Sequence, residues 1–165
     1  MVFVTVGTHE DPFDRLVAEV DRLVATGEVD EAYVQTGYST VVPAHCRHDK
    51  MIGFDAMQAA MRAARVVVTH GGPASIMQAL ALGKVPVVVP RQSRHGEHVD
   101  DHQCRFARRI ADRVIVVMEM PELAPALRDH AARVTAMGPT AGGPERAAAF
   151  AEKLDALCAG LLARR

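Results

Sequence analysis

The sequence of 165 residues has no long apolar runs and no large excess of charge of either sign. Its apolar runs reach five or six residues, far short of the ~20 that a membrane-spanning helix needs. The first residues include no basic segment followed by a long apolar one, so we expect no signal peptide. A net charge of −1 excludes nucleic-acid binding by charge alone. The three cysteines form no Cys-x-x-Cys pair, which is typical of free thiols in a reducing cytoplasm.

What is present is the composition of an ordinary globular domain, with 49% apolar and 24% charged residues. Short β-branched runs alternate with helical periodicities along the chain. The runs predict strands over 1–6, 31–36, 50–54, 65–69, 85–89 and 113–118. The periodicities predict helices from Asp11-Pro12 to Gly27, over 55–62, 74–82 and 99–111, and from Pro121 onward.

This alternation predicts an α/β fold: a Rossmann-like parallel sheet with helices on both faces, in one domain over 1–165. Ligands bind such sheets at the carboxyl ends of the strands, which directs attention to the loops after Val6, Thr69 and Val89. A linker-like stretch over 138–144 precedes a predicted amphipathic helix over about 145–163. That helix has two possible uses, docking of a partner or packing on the domain's own core.

The segment over 68–78 is the most informative, because a strand stops there at two glycines and a helix begins. Glycine lets the backbone approach a ligand, and a helix N-terminus offers free N–H groups and partial positive charge. We therefore predict a phosphate or diphosphate site, with a glutamine one turn later reaching the ribose. The residues of this site are His70, Gly71, Gly72, Pro73, Ala74, Ser75 and Gln78. The alternative is that the glycines serve only a tight corner between strand and helix.

A second polar segment, over 90–103, follows a predicted buried strand and leads into a helix. Asp100 and Asp101 are predicted in the first helical turn, where carboxylates suit the helix dipole. Arg91 and Arg94 have two interpretations, pairing with a uronate carboxylate or exposure to solvent. The histidines at 95, 98 and 102 raise the possibility of zinc, but without Cys or a His-Glu-x-x-His pattern we predict no metal site.

Two further segments complete the sequence motifs. Gly7-Thr8-His9-Glu10 follows the first strand in the manner of a nucleotide-fold turn, but it lacks the Gly-x-Gly-x-x-Gly of an NAD-binding domain. The His- and Cys-containing stretch over 45–48 has the spacing of no common metal site, and we interpret it as a surface loop.

Three stretches together, over 1–16, 70–91 and 96–103, resemble the glycosyltransferase family 28 C-terminal domain. In particular, they resemble the small catalytic subunit of two-part bacterial polysaccharide glucuronosyl- and galactosyltransferases. The fold is also similar to the C-terminal half of the peptidoglycan N-acetylglucosaminyltransferase. The resemblance covers nearly the whole chain.

The resemblance implies a GT-B enzyme divided between two chains, with this chain as the nucleotide-sugar half. Gly7 and Thr8 would lie at the floor of the cleft, and the 70–75 segment would hold the diphosphate. Gln78 stands where related transferases place a glutamate on the ribose, and a neutral amide makes a weaker bond than a carboxylate. The donor sugar would meet the loop residues Glu97, His98, His102 and Gln103.

The implied reaction is inverting transfer, in which an acceptor hydroxyl attacks a UDP-α-sugar and a β linkage forms. The general base is expected on a partner, and the candidates within this chain are His9, Glu10 and His70. The implied partner is a membrane-associated acceptor-binding subunit that presents a lipid-linked acceptor in exopolysaccharide or capsule synthesis, with this chain cytoplasmic at the inner face. We expect no cofactor and no metal. The alternatives are a non-catalytic nucleotide-sugar-binding or scaffold subunit, and a sugar-nucleotide epimerase, which would carry both halves on one chain.

Overall fold

Six parallel strands form one sheet in the computed structural model, which describes residues 1–138. Along the chain they are β1 (Val2–Thr5), β2 (Ala32–Gln35), β3 (Arg47–Asp49), β4 (Val66–His70), β5 (Val87–Val89) and β6 (Ile115–Val116). Their spatial order is β3-β2-β1-β4-β5-β6, and every pairing is parallel. This confirms the predicted Rossmann-like α/β sheet. The predicted helix over 145–163 lies outside the described residues.

Helices cover both faces of the sheet, as predicted. They are α1 (Asp14–Ala25), α2 (Phe54–Ala63), α3 (Pro73–Ala81), α4 (His102–Arg109), α5 (Leu123–Arg128) and α6 (His130–Ala136). Apolar residues of α1 and α5 pack with alternate strand residues such as Val4 and Val68 on one face. Residues of α2, α3 and α4 pack with the intervening ones, such as Phe3 and Val88, on the other. Along the described chain, no helix combines the length and apolar character needed to cross a bilayer.

The strand predictions were wrong at the sheet edge. β3 covers Arg47–Asp49 and not 50–54, and all three of its residues are exposed. An exposed edge strand carries no apolar pattern, so only its backbone pairing with β2 identifies it. Arg47 and His48 therefore belong to a strand and not to the surface loop that their sequence predicts. β5 and β6 are shorter than predicted, and the position of Pro86 before β5 fits the absence of an N–H for the ladder.

Two helix starts also differ from the predictions. α1 begins at Asp14 with Phe13 at the N-cap, so Asp11 does not cap it. α4 begins at His102 rather than near 99, and Asp100 and Asp101 precede its first turn. The carboxylate of Asp101 accepts hydrogen bonds from Ser93 N (2.9 Å) and Oγ (3.0 Å), so it binds the preceding loop instead.

The position of the candidate site follows from the strand order. β1 and β4 are neighbours at the centre of the sheet. The strands β2 and β3, which follow β1, are added on one side of this pair, and the strands β5 and β6, which follow β4, are added on the other side. In open α/β sheets the ligand crevice opens at this switch point, outside the carboxyl ends of the strands. The segments that leave these two ends are the loop from Gly7 and the turn at His70–Gly72.

Candidate functional site

The side chain of His70 occupies the space between the two central loops. A Cβ on Gly7 would lie 2.5 Å from His70 Cε1, and a Cβ on Gly72 would lie 2.3 Å from His70 Nε2. Only residues without side chains can border the ring so closely. Gly7 also has a φ of +80°, whereas Gly72 has a φ of −74°. Gly7 and Gly72 therefore leave room for the imidazole. Packing at the corner between strand and helix is thus one reason for glycine at these positions.

Gly71 is required by the neighbouring polar loop. A Cβ at this position would lie 2.6 Å from Gln103 Cβ and 3.0 Å from Pro90 Cβ. The Oε1 of Gln103 accepts a hydrogen bond from Arg91 N (3.1 Å). The glycine thus brings the turn after β4 against the loop after β5, so the structure joins the two segments that stand out separately in the sequence.

The imidazole of His70 is uncharged at neutral pH. Burial, with the positive charge of Arg91 as a further cause, lowers the pKa of His70 to about 4. Its Nδ1 is buried and has no hydrogen-bond partner among the described residues. An imidazole with so low a pKa accepts a proton poorly near pH 7, which disfavours His70 as the general base.

The N-terminus of α3 is open. Gly72 is the N-cap, Pro73 occupies the first helical position, and no side chain caps the helix. The first turn contains no acidic residue, so the partial positive charge of the helix is not offset there. Pro73 and Ala74 are exposed and Ser75 is half-buried. Backbone N–H groups at such an end are ready donors for an anion.

Gln78 lies one turn further along α3 and is half-buried. Its Nε2 is buried and makes no hydrogen bond within the described chain. A buried amide donor without an acceptor costs about 1–3 kcal/mol, which a ligand oxygen would recover. Of the predicted contacts, Gln78 therefore has the clearest unused hydrogen-bonding capacity.

Arg91 does not have the role suggested by the sequence. Its side chain is fully buried, and the guanidinium donates to the carbonyl oxygens of Val6 (3.0 Å), Asp11 (2.8 Å), Pro12 (3.2 Å) and Glu97 (3.2 Å). It therefore ties three segments together and does not project toward a uronate. Arg94 is exposed and pairs with Glu119, so neither arginine is a free cation.

Glu97 also points inward. Its carboxylate accepts hydrogen bonds from Arg15 Nε (2.6 Å) and from Gln92 N (2.9 Å), and the residue is 4% exposed. Arg15 donates in addition to the carbonyl oxygen of Pro90 (2.8 Å). The structure thus places Glu97 as an anchor of the loop, where the sequence suggests a contact with sugar.

Three histidines lie together beside this loop. The ring centroids of His9 and His98 are 4.5 Å apart, and those of His98 and His102 are also 4.5 Å apart. Burial, with the positive charges of His9 and His102 as further causes, lowers the pKa of His98. The structure therefore brings His9 from the first loop next to two residues predicted to meet the donor sugar. Thr8, which precedes His9, is exposed.

Two residues that shape the site are not among the predicted site residues. Gln35, at the end of β2, accepts from Thr5 Oγ1 (2.7 Å) and donates to the carbonyl oxygens of Gly7 (3.0 Å) and Lys50 (3.0 Å). A glutamine inside an apolar strand is the signal that could have found it. Arg15, in the first turn of α1, looks like any exposed helix residue, and only its contact with Glu97 reveals its role.

Two solved structures share this arrangement of strands and helices. The glycosyltransferase SnogD from Streptomyces nogalater matches with a TM-score of 0.54 and 22% identity, over 90% of this chain and 37% of that one. The glycotransferase of kitacinnamycin matches with a TM-score of 0.51 and 20% identity, over 92% of this chain and 42% of that one. The chain thus spans less than half the length of each, and at these identities the likeness shows the fold, which is of the GT-B C-terminal type.

No curated protein sequence matches this chain. The family profile of the glycosyltransferase family 28 C-terminal domain matches residues 1–139, which contain the central loops, the open end of α3 and the polar loop before α4. The match extends over most of the 165 residues and confirms the family resemblance predicted from the sequence motifs. The chain therefore belongs to the glycosyltransferase family 28 C-terminal domain family.

Proposed function

We propose that this chain is the donor-binding subunit of an inverting UDP-sugar glycosyltransferase. The observation that carries the proposal is the open N-terminus of α3 at the switch point of the sheet, beside the unpartnered Nε2 of Gln78. Family membership supports a nucleotide sugar as the ligand. The diphosphate would accept from the backbone N–H groups of Ala74 and Ser75, and the ribose from Gln78.

The donor sugar would lie toward the polar loop. Gln103 uses its Oε1 within the protein, while its Nε2 has no acceptor among the described residues. His102 precedes Gln103 at the start of α4, His98 lies in the loop before this helix, and Thr8 lies in the loop that follows β1. We assign the sugar contacts to these side chains, and we assign Arg91 and Glu97 to holding the loop in place.

The proposed reaction requires stabilisation of the leaving group. As an acceptor hydroxyl attacks the anomeric carbon, the bond to the diphosphate breaks and UDP gains negative charge. Fixed N–H donors at the start of α3 would stabilise that charge, and each such donor is commonly worth ~2.7–4 kcal/mol in a transition state. We assign the general base to the partner, because the pKa of His70, about 4, is too low for a base near pH 7.

The acceptor half is proposed to come from a membrane-associated partner that presents a lipid-linked oligosaccharide in exopolysaccharide or capsule synthesis. The support is that the two solved glycosyltransferases are more than twice as long as the matching region. On this proposal the chain works in the cytoplasm, at the inner face of the membrane, through its partner.

Thermal denaturation with UDP, UDP-glucuronate, UDP-galactose and UDP-N-acetylglucosamine tests the donor site. A ligand at 100 times its dissociation constant adds ~2.7 kcal/mol of stability, which raises the Tm by about 5–10 °C for a chain of this size. TDP and GDP serve as comparison nucleotides. A folded protein whose Tm is unchanged by millimolar UDP would refute the donor site.

An Ala74→Glu variant separates anion binding from helix stability. The added carboxylate favours the start of α3 by about 0.3–1 kcal/mol through the helix dipole, but it repels a diphosphate. We expect the Tm to be kept or raised while UDP affinity falls by roughly 10-fold or more. Ala81→Glu, at the exposed opposite end of α3, is the control and should retain UDP affinity.

An assay of sugar transfer to a lipid acceptor tests whether the reaction requires the partner subunit. We expect the purified chain to bind UDP but to transfer sugar negligibly until the partner is added. Robust turnover by the chain alone would refute the dependence on a partner, and it would direct the search for the base to His9 and Glu10.

A further inference from the structure

Three side chains, two from the loop before α4 and one from its first residue, converge on one point. His98, Asp100 and His102 each offer a ligand atom, and these atoms all lie within 4.8 Å of one another. His98 Nδ1 is 3.8 Å from Asp100 Oδ1, and His102 Nδ1 is 2.5 Å from the same oxygen. Ligand atoms around a tetrahedral ion, with bonds of ~2.0–2.2 Å, are separated by a little over 3 Å. The three residues, called the His-Asp-His cluster below, therefore need only small side-chain movements to enclose an ion.

Two residues of the segment that carries the cluster are held in place. Before the cluster, the carboxylate of Glu97 is buried against Arg15 and Gln92. Within the cluster, between Asp100 and His102, Asp101 accepts hydrogen bonds from the backbone and hydroxyl of Ser93. These two anchors restrain the segment, which limits the entropy lost on binding an ion.

One of the possible metal-binding atoms in the cluster makes no hydrogen bond in the described part of the chain. The Nδ1 of His98 is buried and has no hydrogen-bond partner within the described residues, although it lies near the carboxylate of Asp100. A buried polar nitrogen of this kind carries a desolvation cost that a bound ion would remove. Asp100 Oδ2 accepts a hydrogen bond from Arg105 Nη2 (3.3 Å), whereas Oδ1, which also accepts from His102 N (3.0 Å), is the oxygen near the two imidazoles.

The protonation states also suit a cation. The backbone N–H of His102 donates to Asp100 Oδ1 (3.0 Å), and an exposed aspartate is ionised at neutral pH. An ionised carboxylate only accepts, so His102 Nδ1 is the donor in the contact between these two side chains. Coordination through this nitrogen requires the neutral tautomer in which the hydrogen has moved to Nε2.

We propose that His98, Asp100 and His102 bind one divalent transition-metal ion, with Zn²⁺ as the best match. Two imidazoles and one carboxylate favour Zn²⁺, Co²⁺ or Ni²⁺ over Mg²⁺ and Ca²⁺, which take oxygen ligands. Three protein ligands leave a position for water or for an oxygen of another ligand. This differs from the sequence analysis, which predicted no metal because only the histidine spacing was considered.

Titration of the metal-free protein with Co²⁺ tests the proposal directly, because Co²⁺ held by nitrogen and oxygen ligands absorbs in the visible range. We expect saturable binding of one equivalent, and displacement of the Co²⁺ spectrum by Zn²⁺. Isothermal titration with Zn²⁺ gives the affinity. Both experiments use the full chain after dialysis against a chelator.

Variants assign the ligands. His98→Ala and Asp100→Asn should each weaken Zn²⁺ binding by at least about 10- to 100-fold, the loss that removal of even an outer partner of a metal ligand causes. His95→Ala is the control, because His95 is an exposed histidine of the same loop that lies outside the cluster. Asp100→Asn keeps the side-chain shape, so it remains informative if His98→Ala unfolds the loop.

Two results would overturn the proposal: no saturable binding of Co²⁺ or Zn²⁺ by the folded protein, or equal binding by the Asp100→Asn and His95→Ala variants. The cluster shares His98 and His102 with the proposed sugar contacts but shares no residue with the proposed UDP contacts on α3, and UDP binding is measured on the metal-free protein. A chain that binds UDP but no metal refutes only the cluster, and the reverse result refutes only the donor site.

Discussion

Replacement of Gly72 by alanine tests whether the glycines of the central turn exist to accommodate His70. The new Cβ would lie 2.3 Å from His70 Nε2 and 3.0 Å from Cδ2. Gly7 borders the same ring, since a Cβ there would lie 2.5 Å from Cε1 and 2.6 Å from Nε2, so the ring is enclosed by two backbone segments. Overpacking of this kind typically costs about 1–3 kcal/mol.

Gly53→Ala is the matched control. Gly53 is the N-cap of α2, with extended backbone like that of Gly72, but no atom lies within 4 Å of the position that a Cβ would take there. Each variant places alanine at an N-cap, so the capping cost is common to both. The difference between them therefore reports the contact with His70. We expect the Tm of Gly72→Ala to be lower than that of Gly53→Ala by about 2–4 °C per kcal/mol.

A double variant sharpens the measurement. His70→Ala removes the ring that the new methyl group meets, so the double variant with Gly72→Ala should be more stable than the sum of the single effects. The expected coupling is about 1–3 kcal/mol, measured by urea denaturation. Equal Tm values for Gly72→Ala and Gly53→Ala, or strict additivity in the cycle, would refute the account of the glycine turn.

Three further predictions concern the ribose contact, the buried histidine and the buried arginine. Gln78→Ala should weaken UDP binding by about 0.5–1.5 kcal/mol in isothermal titration, whereas Gln78→Glu should keep or improve it; unchanged affinity of the alanine variant would remove Gln78 from the site. The pKa of His70 is about 4 in the folded protein and ordinarily 6.5, so as the pH falls the unfolded chain binds this proton before the folded protein does. The free energy of unfolding is therefore unaffected by protonation of His70 above pH ~6.5 and decreases between pH ~6.5 and pH 4. The loss amounts to about 3 kcal/mol, and His70→Gln should flatten the pH dependence of urea unfolding by that amount; an identical slope in the variant would contradict the assignment. Arg91→Lys should destabilise the fold by about 3 kcal/mol or more, since hydrogen bonds from a charged donor contribute about 1.5–3 kcal/mol each. Arg94→Lys, at an exposed pair, should stay within ~1 kcal/mol of wild type. Similar Tm losses in the two variants would contradict the role of Arg91 in joining the three segments whose carbonyl groups it binds.

The arrangement of layers could be predicted from the sequence because it depends on local patterns. Runs such as Val66–Val68 are apolar at every position, which is the pattern of a strand buried on both faces. The spacing of Leu16, Val20 and Leu23 likewise predicted the buried face of α1. The alternation of these elements leaves few topologies other than a parallel sheet, because βαβ crossovers are almost always right-handed. The sequence motifs were also sufficient to predict the family.

Element boundaries were less predictable where a hydrogen bond from a distant residue decides them. β3 has no apolar pattern, since both its faces are exposed, and its pairing with Tyr33–Gln35 alone makes it a strand. The start of α4 moved because Asp101 binds Ser93 rather than the helix end. Such choices depend on which partners the fold brings near, and a local pattern does not contain that information.

The sequence by itself determined that a glycine turn, a helix start and a polar loop would meet at the carboxyl edge of a parallel sheet. Tertiary structure alone decided what each polar side chain does there. Arg91 and Glu97 looked like ligand contacts, but the fold surrounds Arg91 with backbone carbonyls and places Glu97 beside Arg15. The physical reason is that an unpaired buried charge is costly, so the available partners and not the residue type decide whether a charged side chain points to a ligand or into the protein.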